Sequence, residues 1–278
     1  MKKFEKLKSN FYIYMYCKMK FESYPIFVIN LPHRKDRREM IIYKFEMLGI
    51  TNYQFVEAIH GVNLLNINYR EEVSKRLNID YELLSVEFWQ SRRNWKTMSN
   101  KVTTILPQVG CYLSHLHALQ LATEQGHKEV IIMEDDAIIK KDIDFTLFSP
   151  PSDYDLFYLG GTFWHLTPYR EEGSIIKVNP EHLKLCGTYC YLVNNLKEKV
   201  NVLRSVFKLG AAKDKVPDFK NGETRLRASP IDLFYINHYQ RYGNCYFINP
   251  QLVVHPEEHD SDIENDKLKR KYTLSFTY

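Results

Sequence analysis

The sequence predicts an α/β protein with a mostly parallel central sheet flanked by helices. Two observations carry this. The strand-length apolar runs are continuous rather than alternating, as in Ile26–Leu31 (IFVINL) and Glu129–Met133 (EVIIM), and such runs suit strands covered on both faces. The first run is followed by a helical stretch and a second short strand, which makes a βαβ unit.

The elements follow in order. Pro32 ends the first strand, and HRKDRREMIIYKFEML (33–48) reads as a helix capped by Asp36 and stopped by Gly49. Its apolar stripe is Met40, Ile41, Phe45 and Leu48. Gln54–Ala58 reads as the second strand, closed by His60-Gly61. Residues 62–106 are polar and weakly periodic, with a helix expected over Glu71–Leu84. Pro107 is expected to open a strong helix that runs to Gly126. Glu129–Met133 is the clearest buried strand, and it runs straight into Glu134-Asp135-Asp136. Strands are further expected at Asp155–Leu159, Gly187–Val193 and Cys245–Ile248. Helices are expected at Asn195–Leu209 and from Pro230 to Arg241, with a charged loop over 211–229 between them.

With 278 residues the chain can bury a core without disulfide or zinc staples. Hydrophobic residues at 44% and charged residues at 26% argue against global disorder. The formal charge of +4 leaves room for an anionic ligand such as a nucleotide, and no dense basic patch or motif points to nucleic acid. No stretch reaches the roughly 18–20 apolar residues of a membrane span. Residues 1–24 form a basic, aromatic leader, read as peripheral or disordered, whose composition allows a peripheral membrane contact. The five cysteines are scattered and make no CxxC pair, so they read as reduced and the protein as cytoplasmic. With no Pro- or Gly-rich linker, residues 25–263 read as one domain and 264–278 as a C-terminal tail.

The acidic triplet is the most informative feature. Three adjacent carboxylates are electrostatically costly unless a cation offsets them. At the carboxyl end of a central strand they face the usual ligand crevice of an open α/β sheet. In extended geometry Glu134 and Asp136 would point one way and Asp135 the other. Hard oxygen ligands suit Mg²⁺ or Mn²⁺.

Around this triplet the sequence resembles glycosyltransferase family 25, the lipooligosaccharide and procollagen β-galactosyltransferases. FVINLPHRKDRRE (Phe27–Glu39), VEAIHG (Val56–Gly61), VGCYLSHLHAL (Val109–Leu119) and VIIMEDDAII (Val130–Ile139) resemble its blocks in family order. So do YDLFYLGG (Tyr154–Gly161), GTYCYLV (Gly187–Val193), PIDLFY (Pro230–Tyr235) and PQLVVHPEEHDSDI (Pro250–Ile263). His60 stands where the family block carries Asp. The resemblance implies a GT-A-like nucleotide-sugar fold, a UDP-sugar donor and an inverting mechanism dependent on Mn²⁺ (or Mg²⁺). It implies a glycan or a collagen-like hydroxylysine chain as acceptor.

Carried onto this sequence, the resemblance makes Asp136 the principal metal ligand, with Glu134 and His255 beside it. Glu134 or Asp135 would otherwise contact the ribose. Arg34 and Arg37 would meet the diphosphate, as guanidinium forks suit it, and Asn30 the base. His115 would make an active-site hydrogen bond to donor or strand, or be a satisfied core histidine. Cys111 stands four residues before it, but that spacing lacks the two further ligands of a closed metal site. Asp232 is the candidate general base. His259 offers a His-x3-His spacing with His255. Two other readings remain open: a nucleotide- or glycan-binding module that has lost catalysis, and a metal-dependent phosphohydrolase. A Rossmann dehydrogenase is disfavoured because no GxGxxG follows the first strand.

Overall fold

A computed structural model describes residues 21–85, 102–140, 145–165, 174–208 and 230–255. Most of the leader, the 211–229 loop, His259 and the 264–278 tail lie outside the described residues. The architecture is α/β, as expected. A seven-stranded sheet has the order β2-β1-β3-β7-β5-β8-β6. Its strands are β1 (Ile26–Asn30), β2 (Tyr53–Glu57), β3 (Val130–Glu134), β5 (Leu156–His165), β6 (Ile175–Lys177), β7 (Leu183–Val193) and β8 (Cys245–Ile248). Five of the seven run in one direction, and only β7 and β6 are reversed. A two-stranded sheet pairs β4 (Ile138–Ile139) with β9 (Val253–Val254). That pairing brings the chain just after the acidic triplet beside His255.

Helix α1 (Lys35–Leu48) covers one face of the sheet. It ends at Gly49, whose φ of 66° is the left-handed cap conformation that glycine adopts at no steric cost. Two expectations about it are corrected. Asp36 is not the cap: Arg34 holds that position, and the Asp36 carboxylate is bonded to the Arg34 guanidinium instead. Met40 is exposed, and the buried line is Arg37, Ile41 and Phe45, one turn apart. An arginine therefore stands at the sheet-facing end of an apolar stripe, its stem riding the core and its charge reaching the strand ends.

The other face is covered by α3 (Val102–Glu124), α4 (Leu196–Ser205) and α5 (Ile231–Tyr235), the last continuing through a π-helical turn, Ile236–Gln240. Helix α3 begins five residues before Pro107, so that proline lies inside the helix rather than opening it. The helix expected over Glu71–Leu84 is instead α2 (Ile67–Leu77), followed by a 3₁₀ turn at Tyr81–Leu84. Local chemistry explains the shift. The Asn66 side chain accepts from the backbone N–H groups of Asn68 and Tyr69, and Asn78 ends the helix with a φ of 50°.

Gly61 and Gly110 set how closely α3 approaches the chain that leaves β2. A Cβ on Gly61 would stand 1.7 Å from the Leu106 carbonyl oxygen, and one on Gly110 would stand 2.5 Å from Gly61 N. Ser114 pins the same contact: its hydroxyl accepts from Ile59 N at 2.8 Å and donates to Gly110 O at 2.6 Å. Gly61→Ala is expected to lose about 3 kcal/mol, the upper end for overpacking. Urea denaturation checks this, and an unchanged midpoint would show that the two backbones can part without cost.

The described cysteines Cys111, Cys186, Cys190 and Cys245 are free thiols. No helix among the described residues is long and apolar enough to cross a membrane.

Candidate functional site

The site forms where β1 and β3 end and the first half of β7 passes antiparallel beside them. Pairing of Ile29 with Glu134 sets the ends of β1 and β3 level. Pairing of Met133 with Cys190 brings Thr188 alongside Glu134.

Strand β3 stops at Glu134, and Asp135-Asp136 form a turn closed by Ala137 N on Glu134 O at 3.1 Å. This corrects the expected alternation of the triplet. Asp135 and Asp136 converge on one cation, while Glu134 faces elsewhere.

Arg37 Nη1 donates to Asp135 Oδ1 at 2.8 Å and to Asp136 Oδ2 at 3.4 Å. Asn30 Nδ2 donates to Asp135 Oδ2 at 2.7 Å and to the Arg34 carbonyl at 3.2 Å. The Arg37 and Asp135 side chains are 7% and 8% exposed, so this pair is buried. Burial pushes the Asp135 carboxyl up, and the Arg37 and Asn30 hydrogen bonds only partly oppose it.

Asp136 is the other half. His255 Nε2 lies 3.4 Å from Asp136 Oδ2, brought there by the β4–β9 pairing. The His255 ring packs on Tyr189 with centroids 4.8 Å apart. Burial alone would raise the Asp136 carboxyl, but His255 and Arg37 outweigh it and hold the group below its ordinary value. Asp136 Oδ1 is buried and accepts no hydrogen bond among the described residues. A buried carboxylate oxygen without a donor is the feature a cation would complete.

Glu134 Oε1 takes the Thr188 hydroxyl at 2.5 Å and lies 3.3 Å from His115 Nε2. His115 is buried on α3, and its Nδ1 lies 2.8 Å from the Tyr191 hydroxyl. That hydroxyl is in turn 3.0 Å from the Tyr235 hydroxyl. Of the three expected metal ligands, Asp136 and His255 therefore meet, and Glu134 belongs to a second group with His115.

Asp232 sits in the first turn of α5, half-buried, with Oδ1 accepting Leu233 N at 2.7 Å. Burial pushes its carboxyl up, opposed by backbone hydrogen bonds from Leu233 and Gly187, and the charge of Glu134 adds to the rise. Arg34 pairs with a neighbour in its own segment. Its guanidinium forks onto Asp36, with Nε and Nη2 at 3.1 and 2.9 Å, and that hydrogen bonding holds the Asp36 carboxyl down at about 2.

Sequence reasoning did not single out Thr188, Tyr191 or Tyr189. They lie on β7 within GTYCYLV, a run that also fits plain core.

The family model described as "Glycosyltransferase family 25 (LPS biosynthesis protein)" matches residues 23–198, more than half of the chain. The chain belongs to glycosyltransferase family 25. The matched span of this family 25 chain holds Asn30, Arg37, His115 and the triplet, and it ends before Asp232 and His255. A "Glycosyltransferase 25 family member" from Aedes aegypti is 25% identical over 111 residues, 40% of this chain and 16% of that protein. "Procollagen galactosyltransferase 1-A" from Xenopus laevis is 28% identical over 152 residues, 51% of this chain and 22% of that protein. The alignments thus span under a quarter of either relative's length.

Proposed function

We propose that the chain transfers a hexose, galactose or glucose, from a UDP-sugar to a hydroxyl group, with inversion. The acceptor is a glycan or a collagen-like hydroxylysine chain, and the reaction depends on Mn²⁺ or Mg²⁺. The observation that carries this reading is the Asp136 Oδ1 atom, buried without a donor beside His255 at the end of β3, in a family 25 chain.

A carboxylate oxygen with an imidazole nitrogen suits a divalent cation of the Mn²⁺ type. Asp136 and His255 would hold it, and when bound it offsets the charge of the diphosphate leaving group. Arg37 and Asn30 keep Asp135 and Asp136 in place without waiting for ligand. A cleft of about 630 Å³ opens beside Asn30 at the ends of β1 and β2, with Lys35, Arg38, Phe55 and Glu57 in its walls. Its size and mixed lining suit the nucleoside half of the donor. Asp232, made more basic by burial, takes the acceptor proton. The free thiols suit a reducing compartment.

UDP release across a panel of UDP-sugars, with and without acceptor, Mn²⁺ and EDTA, tests the reading. Release is expected to need both acceptor and metal. Asp232→Asn is expected to bind donor normally and to lose roughly 10²–10⁴ in transfer, the range of general-base catalysis. Full transfer by that variant would place the base elsewhere. Release without acceptor, together with hydrolysis of simple phosphates, would favour a phosphohydrolase. UDP binding with no turnover would favour a binding module.

A further inference from the structure

The carboxylates at the strand ends fall into two groups with different partners. Asp135 and Asp136 are served by Arg37 and His255. Glu134 is served by a neutral hydroxyl and an imidazole. Asp232 and Cys111 lie close enough to Glu134 to feel its charge. The second group therefore places two carboxylates, Glu134 and Asp232, near the Cys111 thiol.

Within that group the fold adds a third ligand to the helix spacing of Cys111 and His115. One ligand atom from each of Cys111, His115 and Glu134 lies within 4.8 Å of the others. His115 Nε2 and Glu134 Oε1 stand 3.3 Å apart. Ligand atoms sharing one tetrahedral zinc stand roughly 3.3–3.6 Å apart, given its usual bond lengths. The outer partners also fit. The Tyr191 hydroxyl can fix the His115 tautomer from Nδ1, leaving the Nε2 lone pair toward Glu134, and the Thr188 hydroxyl orients the carboxylate. Two acceptors facing at 3.3 Å need either a proton or a cation between them.

We propose that Cys111 Sγ, His115 Nε2 and Glu134 form a site for a thiophilic divalent cation of the Zn²⁺ type, separate from the Asp136–His255 position. Three protein ligands leave one coordination position open, so water or a ligand completes the shell. The Cys111 sulfur selects against the hard ions that suit Asp136. Burial and the neighbouring carboxylates keep the Cys111 thiol protonated when no metal is bound, so loading releases a proton and weakens as pH falls. The site does not depend on glycosyl transfer being the reaction, and its test reads metal binding rather than turnover.

Full-length reduced protein, stripped with EDTA, is titrated with Co²⁺ as a spectroscopic substitute for Zn²⁺. A sulfur-to-cobalt charge-transfer band is expected in the near ultraviolet, displaced by equimolar Zn²⁺. The band is expected to vanish in Cys111→Ser and to persist in Asp136→Asn. No band in the wild type, or a band that survives in Cys111→Ser, overturns the site. Loss of the band in Asp136→Asn overturns its separateness. Should Cys111→Ser fail to fold, wild-type protein gives an independent reading. Zn²⁺ is expected to slow alkylation of Cys111, located by peptide mass spectrometry, and an unchanged rate overturns the proposal.

Discussion

Asp136→Asn is expected to lower metal-dependent UDP release about 10³-fold, the loss of roughly 4 kcal/mol of transition-state stabilisation. The substitution keeps the shape of the side chain and removes its charge. What disappears is a carboxylate that combines a buried oxygen lacking a donor with an adjacent imidazole. The fold should tolerate the change, because Arg37 keeps its 2.8 Å bond to Asp135 and the repulsion between adjacent carboxylates is relieved. The metal-free protein should lose some stability with the Arg37 and His255 attractions to Asp136 yet stay folded, while the stabilisation expected from Mn²⁺ in the wild type should vanish. Turnover within about tenfold of wild type at saturating Mn²⁺ would mean that the ion sits elsewhere.

Much of the fold was legible in the sequence, because its signals are local. The unbroken EVIIM run, the Pro32 stop and the Gly49 cap each act within a few residues, and each places an element correctly. The errors came where a local signal had a competitor. Pro107 marks a helix start by statistics, yet α3 starts at Val102 and carries the proline as one lost donor. Asp36 looks like a cap until Arg34 takes its carboxylate.

The site was legible in residue types but not in pairings. Asn30, Arg37, His115 and the triplet do meet at the ends of β1 and β3. Their partners depend on contacts such as Arg37 with Asp135, 98 positions apart, and on where β3 stops. Had the strand run two residues further, Asp135 and Asp136 would face opposite sides and Arg37 could not bridge them. Thr188 and Tyr191 were invisible for the same reason, since only the β3–β7 register gives them a role.

Arg37→Met tests the electrostatic frame itself. Arginine at this position interrupts a buried apolar line on α1, and methionine matches its stem in volume and packing. The change therefore isolates the guanidinium. Its Asp135 and Asp136 partners are 8% and 11% exposed, so neither can turn to bulk water for compensation. Removing one partner of a buried ion pair costs about 3–5 kcal/mol. For a chain of this size that corresponds to a fall in Tm of roughly 6–20 °C. Asn30 continues to donate to Asp135, which places the expected loss toward the lower end of that range.

Two further measurements separate charge from packing. Arg37→Met/Asp135→Asn removes both members of the shorter pair and should recover most of the loss, as expected for residues coupled through one contact. Mn²⁺ should raise the Tm of Arg37→Met more than that of the wild type, because the ion then replaces the missing positive charge as well as completing Asp136. A single variant that melts within about 2 °C of wild type would show that the two aspartates do not need Arg37. The cation would then have to be sought at His255 alone. A variant destabilised as expected but indifferent to Mn²⁺ would separate the frame from the ion, leaving Arg37 as a purely structural counter-charge.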